Sequence, residues 1–435
     1  MSQPPRFGLT TLTCIVIASM IGTGVFTTSG WTLATVGTPQ RVMLAWLIGG
    51  VIAICGAVAY GELAKRLPVS GGEYLYLSRR LHPFFGFLAG WVSLTAGFSG
   101  AIAVSALAFE KYALSDARPD WLPEKTLALF VIVVFGLGHG FLVRPFAILQ
   151  NAIVGIKLFA LTVFLCVAGL KIGTHPWHWE PVPEFAPLEG TALLLAIASS
   201  VMWISLSFAG FNAAIYISSE VKEPETNVPR SLWLGTALVT VFYLLLNTVF
   251  VSAAPASETA LKEEVAAVAA RALGGSQLEL LIRVAVCLGT MTSVAGMVMT
   301  GPRVFSRMAD DGLFPAWFSS GKHSTSRTVL LQTAIAGAMV YMGTIQSLVK
   351  YLATILTLSS ALTVATLFFP QKDGQSGARM NMVTAAASAF FVLASVVTAI
   401  LMATRDPKDL IATGVTLAAG AVLWPLARGM AGSSK

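Results

Sequence analysis

The sequence predicts an all-α integral membrane protein with about twelve transmembrane helices. Composition is the first ground for this. Hydrophobic residues make up 55% of the 435 and charged residues 11%, against roughly 45–50% and 25% in soluble domains. Spacing is the second: apolar runs near the roughly 20 residues that a helix needs to cross a bilayer recur along the chain, separated by short polar stretches. The third is that Lys and Arg gather mainly in short loops, as in membrane proteins oriented by their basic loops. The formal charge of +7 comes largely from those loops and is not a nucleic-acid footprint.

The runs lie at about 9–36, 42–64, 84–110, 125–143, 146–170, 190–219, 231–254, 277–308, 328–346, 349–370, 380–403 and 409–427, numbered helices 1 to 12. Helix 1 follows Arg6 as a secretory leader would, but it is too long, lacks a clear small-x-small cleavage site and is followed by more spans. Basic residues favour the loops on the N-terminal side, including Arg6, Lys65, Arg66, Arg144, Lys222 and Arg303. The opposite loops are diluted by acids such as Asp116 and Glu263. Both termini are therefore expected in the cytoplasm of a cell carrying the chain in its plasma (inner) membrane. No soluble domain fits, so residues 1–435 read as one transmembrane domain. The longest outer connections, 171–189 and 255–276, read as small lids or linkers, and 258–272 as a solvated connector in preference to a short amphipathic surface helix.

Helix 1 holds the first anomaly. Ser19 and Ile21-Gly22-Thr23-Gly24-Val25-Phe26 occupy the middle of the span. Glycine there costs about 1 kcal/mol against alanine unless the helix is meant to break. A break at membrane depth frees backbone N–H and C=O groups, which is tolerated only against protein or a wet cavity. The competing reading is a close helix–helix contact between small residues. Helix 6 repeats the anomaly in Ser205-Leu206-Ser207-Phe208-Ala209-Gly210-Phe211-Asn212. The two interrupted helices each open a block of five spans, the sequence pointer to a transporter with inverted repeats. That divides the chain into 1–170 (helices 1–5), 190–370 (helices 6–10) and 380–427 (helices 11 and 12). Half-helix N-termini attract an anionic group and freed carbonyls a cation. A zwitterionic amino acid presents both.

Lys157 lies near the middle of helix 5, where a lysine costs about 2.5–3.5 kcal/mol on insertion scales and needs an interior partner. Ser293, mid-span in helix 8, and the carbonyls of a broken helix are the candidate acceptors. Glu62, Glu73 and Glu220 stand at the cytoplasmic rim and read as gate ion pairs or interfacial charges rather than substrate ligands. Asn247 in helix 7 reads as an interior contact between helices. Cys14, Cys55, Cys166 and Cys287 all fall inside apolar runs without CxxC spacing, so they read as small apolar fillers. No nucleophile–base pair, phosphate-cradling loop or metal cluster is legible. No enzymatic activity, cofactor or metal is expected.

Five stretches carry a resemblance. They are Ile21-Gly22-Thr23-Gly24-Val25-Phe26; Ala59-Tyr60-Gly61-Glu62-Leu63-Ala64 with Pro68-Val69-Ser70-Gly71-Gly72-Glu73-Tyr74-Leu75-Tyr76; Arg144 through Lys157; helix 6 running into Glu220 through Arg230; and Arg303 through Pro315. In this order they resemble the amino acid–polyamine–organocation (APC) transporter superfamily and, within it, the L-type amino acid transporter subfamily. The likeness is carried by motifs through helix 8 and mainly by hydropathy beyond it. It implies a five-plus-five inverted repeat with discontinuous helices 1 and 6 and two extra C-terminal helices. It also implies a substrate carboxylate on the helix 1 break (Ser19, Met20, Ile21, Gly22, Thr23, Gly24) and a substrate amine on the helix 6 break (Phe208, Ala209, Gly210, Phe211, Asn212). Lys157 falls where L-type members and some proton-coupled relatives carry a lysine in place of a sodium ion, with Ser293 as its candidate partner. Leu206 stands where many relatives place a gating aromatic, which leaves that role to Phe208 or Phe211, with Glu220 closing the inner rim. Animal heteromeric members carry an outer-loop cysteine before helix 4. Residues 111–124 have none here, so no disulfide-linked heavy chain is expected.

The expected function is sodium-independent exchange of small to medium neutral L-amino acids. The alternatives are a proton-coupled symporter that titrates Lys157, and a sensor that binds amino acid without moving it.

Overall fold

In the computed structural model the described residues are 7–114, 118–141, 143–319, 324–369, 380–405 and 407–432, with side chains at 139–151, 324–325, 405–409 and 428–432 left aside. Arg6, Asp116 and the Arg144 side chain, named above, lie outside that description. Each of the twelve expected segments is occupied by helix. Helix 1 is Leu9–Met20 followed by Gly24–Val36, bent by 46° at the break. Helix 2 is Pro39–Arg66, helix 3 Pro83–Leu114, helix 4 Thr126–Phe141 and helix 5 Val143–Leu170. Helix 6 is Gly190–Ser207, continued after a turn by a 3₁₀ stretch, Ala213–Glu220. Helix 7 is Pro224–Ser252, helix 8 Val265–Asp310, helix 9 Ser324–Met342, helix 10 Ile345–Ala365, helix 11 Met382–Arg405 and helix 12 Pro407–Gly432. Among the described residues nine helices are long and apolar enough to cross a bilayer, and the bent pair makes a tenth. Helices 4 and 9 fill the two remaining segments, helix 4 as a shorter apolar helix over Thr126–Gly138. The chain is a multi-pass membrane protein.

Local chemistry fixes several ends. Thr38 accepts from the Arg41 amide at 3.3 Å, and Pro39 opens helix 2, where a missing N–H costs nothing. Thr344 and Ser347 form a capping box at the start of helix 10. Gly37, at φ 80°, ends helix 1 in the left-handed region. Helix 3 carries a π-helical stretch at Ser93–Gly100, a distortion frequent near functional sites. One buried cluster joins Leu12 and Val16 of helix 1, Trp46 of helix 2, Phe164 of helix 5 and Tyr243 of helix 7. A second gathers Ala106, Ile132, Val298 and Leu352 from helices 3, 4, 8 and 10.

Two sequence expectations need correction. Residues 258–272 are not a solvated connector. Val265, Ala266, Ala267, Ala269, Ala270 and Leu273 are buried, so the first turns of helix 8 form a cap that ends at a kink through Gly274 and Gly275. Alanine is small enough to pack here, and Arg271 keeps its charge at the edge on Glu279, 2.5 Å away. Nor is Glu73 a gate ion pair. It is 7% exposed and accepts hydrogen bonds from Tyr60, Ser359 and Ser360. Glu62 does form an ion pair, 2.8 Å from Arg66 one helical turn on.

Candidate functional site

The helix 1 break is a short turn. Helix Leu9–Met20 stops, the Gly22 amide donates back to Met20 O at 2.8 Å, and a new helix starts at Gly24. The Phe26 amide donates back to Thr23 O at 3.1 Å, the Gly24 and Val25 amides precede the first intrahelical bonds, and Thr23 at the N-cap supplies no side-chain cap. The Thr23 hydroxyl instead donates to Ser105 of helix 3 at 3.0 Å. Uncapped amides and the helix dipole make this terminus favourable to an anionic group. Met20, Ile21 and Thr23 are buried, Gly22 and Gly24 are partly exposed, and Ser19 is exposed.

Helix 6 breaks beside it. After Ser207 the chain turns through Phe208–Asn212, with Gly210 at φ 98°. A Cβ at Gly210 would lie 2.8 Å from Ser19 O, and one at Gly24 would lie 2.7 Å from the Ser207 Cα. At these two glycines the close-contact reading holds: the interrupted helices meet backbone to backbone. A Cβ at Gly22 would make only ordinary contacts, with the Ser293 hydroxyl at 3.4 Å and Met20 O at 3.9 Å. Ala209, Gly210, Phe211 and Asn212 stay partly exposed.

Two donors from outside reach the break. Lys157, 1% exposed, donates through Nζ to Ile21 O at 2.6 Å. Its stem lies against Gly289 of helix 8, where an added Cβ would come 2.8 Å from Lys157 Cδ. Among the described residues no acid forms an ion pair with it. Ser293 lies next to Gly22, but its hydroxyl donates to Gly289 O at 3.1 Å rather than bonding Lys157. The second donor is Tyr243 of helix 7, whose hydroxyl lies 2.6 Å from Met20 O and 3.0 Å from Ser207 O. Sequence reasoning missed it, since a tyrosine inside an apolar span is ordinary core. Asn247, one turn on, meets Ser29 and donates to Tyr243 O at 2.8 Å, the interior contact expected of it.

The aromatic residues divide. Phe208 is buried against Trp46 (5.9 Å between ring centroids) and Tyr243 (5.2 Å). Phe211 stays partly exposed, with its ring 5.4 Å from Tyr60. Leu206 packs on the cluster of helices 3, 8 and 10. On the face expected outside, Trp31 meets Trp203 edge to face at 6.4 Å, and Leu261 N donates to Gly30 O at 2.9 Å. A Cβ at Gly30 would overlap Lys262 O, so that end is sealed by direct packing. On the face expected inside, Phe7 pairs with Glu220 and Lys222 through backbone bonds, and the Glu220 carboxylate lies 3.9 Å from Arg303. A hollow of about 350 Å³ on the same face, at the ends of helices 2, 7 and 11, is lined by Glu62, Lys65, Glu225 and Arg230 among others. None of the break residues lines it.

The sequence is similar to amino-acid transporters along most of its length. It is 27% identical to the human large neutral amino acids transporter small subunit 2 over 368 residues, covering 83% of this chain and 68% of the relative. The mouse Asc-type amino acid transporter 1 is 26% identical over 371 residues (82% and 69%). The mouse b(0,+)-type amino acid transporter 1 is 26% identical over 388 residues (86% and 78%). A sequence model of the amino acid permease family matches residues 7–424. With two interrupted helices meeting at their breaks and nearly the whole chain matched, this protein belongs to the amino acid permease family of the APC superfamily.

Proposed function

We propose that this protein exchanges neutral L-amino acids across the cell membrane by alternating access, without sodium. The observation that carries the reading is Lys157, whose ammonium lies 2.6 Å from Ile21 O inside the helix 1 break. A fixed cation on that carbonyl supplies the positive charge that a bound sodium ion would bring. The uncapped terminus at Thr23 suits the substrate carboxylate, and the helix 6 turn beside it suits the ammonium. The relatives named for neutral amino acids support the substrate class. All four cysteines lie within helices, which supports a transporter that works without a disulfide-linked subunit; the basic bias of the N-terminal-side loops supports both termini in the cytoplasm.

Counterflow tests this. Proteoliposomes holding only this chain and preloaded with a neutral amino acid should take up labelled substrate, and empty ones should not. Replacing external sodium with choline should leave the initial rate unchanged; a steep sodium dependence would remove the cation-substitute argument. Accumulation driven by an inward proton gradient into empty vesicles would make the protein a symporter, and binding without flux would make it a sensor.

Tyr243 should matter to the same cycle. Tyr243→Phe keeps the ring against Trp46 and Phe208 and removes the donor facing Met20 O and Ser207 O. Ser207 O would lose its donor, while Met20 O keeps the Gly22 amide; leaving one buried carbonyl unpaired costs about 1–3 kcal/mol, so the exchange rate is expected to fall about tenfold. An unchanged rate would reduce Tyr243 to packing.

A further inference from the structure

Glu73 is a buried carboxylate that the transport reading does not use. It sits in the first turn of the short helix Gly72–Arg80, between helices 2 and 3. A buried carboxylate ordinarily has a cation beside it. Among the described residues none forms an ion pair with Glu73; hydroxyls surround it instead. Tyr60 of helix 2 donates to Oε1, Ser360 of helix 10 donates to the same oxygen at 2.8 Å, and Ser359 donates to Oε2 at 2.8 Å. Hydrogen bonds to an ionised acceptor are roughly twice as strong as neutral ones. One carboxylate therefore ties the inner part of helix 2 to helix 10.

What Tyr60 does with its other side gives the cluster a function. Its ring stands edge-on against Phe211, at 5.4 Å and 86°. Phe211 is the aromatic of the helix 6 break that remains partly exposed, and its far side is bounded by Phe391 of helix 11 at 6.2 Å. The same short helix meets helix 6 again: a Cβ at Gly72 would lie 2.8 Å from Cζ of Tyr216. Rotating or withdrawing Tyr60 would leave Phe211 without its wall on the inner side of the break.

We propose that Glu73 is a positioning residue for the substrate site, holding Tyr60 against Phe211 and so shaping the pocket that substrate enters from the cytoplasm. The inference rests on the transport reading above and adds a residue to it. Glu73 acts through Tyr60 and need not touch the substrate. The side chain's length fits the task, since its two oxygens reach helices 2 and 10 at once. Because the outer end is sealed in this conformation, the effect belongs to substrate arriving from inside.

The experiment is counterflow with KM measured separately for internal and external substrate. Wild-type counterflow comes first; its absence would remove the transport reading and leave Glu73 unaddressed by it. With wild-type exchange in hand, Glu73→Gln keeps the volume and removes the charge. It should raise the internal KM about tenfold, the effect of weakening one charge-assisted hydrogen bond. The external KM and the melting temperature should stay close to wild type. Tyr60→Phe keeps the ring on Phe211 but cuts the bond to Glu73, and should shift internal KM in the same direction. It also preserves the test if Glu73→Gln does not fold. Internal and external KM both unchanged in the two variants would overturn the proposal. So would equal rises on both faces together with a lowered melting temperature, which would make the cluster structural only.

Discussion

Lys157→Met is expected to lower exchange by about tenfold to a hundredfold in a protein that still inserts and remains monodisperse. Methionine keeps an unbranched stem for the space beside Gly289, where the lysine methylenes lie, so packing is little disturbed. The ammonium is what disappears. Ile21 O, at the centre of the helix 1 break, then loses a donor 2.6 Å away. Hydrogen bonds from charged groups contribute about 1.5–3 kcal/mol, which converts to that range of rates when the bond holds the conformation that works. Lys157→Ala should be worse, because it adds a cavity in a fully packed place. Initial counterflow rates measure the effect, and light scattering or size-exclusion separates it from misfolding. Wild-type rates in Lys157→Met would show that the break keeps its shape without a cation. If the variant instead retains passive counterflow while the wild type is driven by protons, Lys157 is a titrating coupling group and exchange is not the mechanism.

Gly210→Ala is expected to abolish substrate binding and to lower thermal stability markedly. Gly210 holds φ at 98°, a region that costs a residue with a side chain about 1–3 kcal/mol. The new methyl would meet Ser19 O at 2.8 Å and Ser19 C at 2.9 Å. Both are backbone atoms of the other interrupted helix and cannot rotate away, so the two breaks must separate. Overpacking of this kind adds about 1–3 kcal/mol. Gly22→Ala is the matched control. Its methyl meets a serine hydroxyl at 3.4 Å and Met20 O at 3.9 Å, both ordinary contacts, so expression and melting temperature should stay close to wild type. A ligand-induced thermal shift for both variants is the readout. Normal binding by Gly210→Ala would mean that the breaks do not need their close approach.

The interruptions in helices 1 and 6 were legible because glycine inside a span is costly, so its presence carries information. Lys157 was legible for the same reason, as a charge at bilayer depth. The orientation of the aromatic residues was not. Phe208 and Phe211 are three apart, and where the helix stops the 3.6-residue period no longer tells which faces the core. Glu73 was misread because a carboxylate near the end of a span resembles an interfacial charge, and its hydroxyl partners Ser359 and Ser360 lie far along the chain. The cap at Val265–Leu273 was misread because alanine with scattered charge looks the same whether solvated or packed. Tyr243 gave no signal, since its role depends on which carbonyls the fold brings to it.

The Tyr243 hydroxyl has one hydrogen and two carbonyls competing for it. Met20 O belongs to helix 1 and Ser207 O to helix 6, and neither can donate in return. Met20 O also accepts from the Gly22 amide at 2.8 Å, so the phenol can turn wholly to Ser207 O without leaving either carbonyl unpaired. A small sliding of one break past the other transfers the hydrogen from one acceptor to the other by turning a phenol about its C–O bond. The junction can therefore change owners without coming apart. Relative motion of helices 1 and 6 starts from a contact that already has two ways of being made.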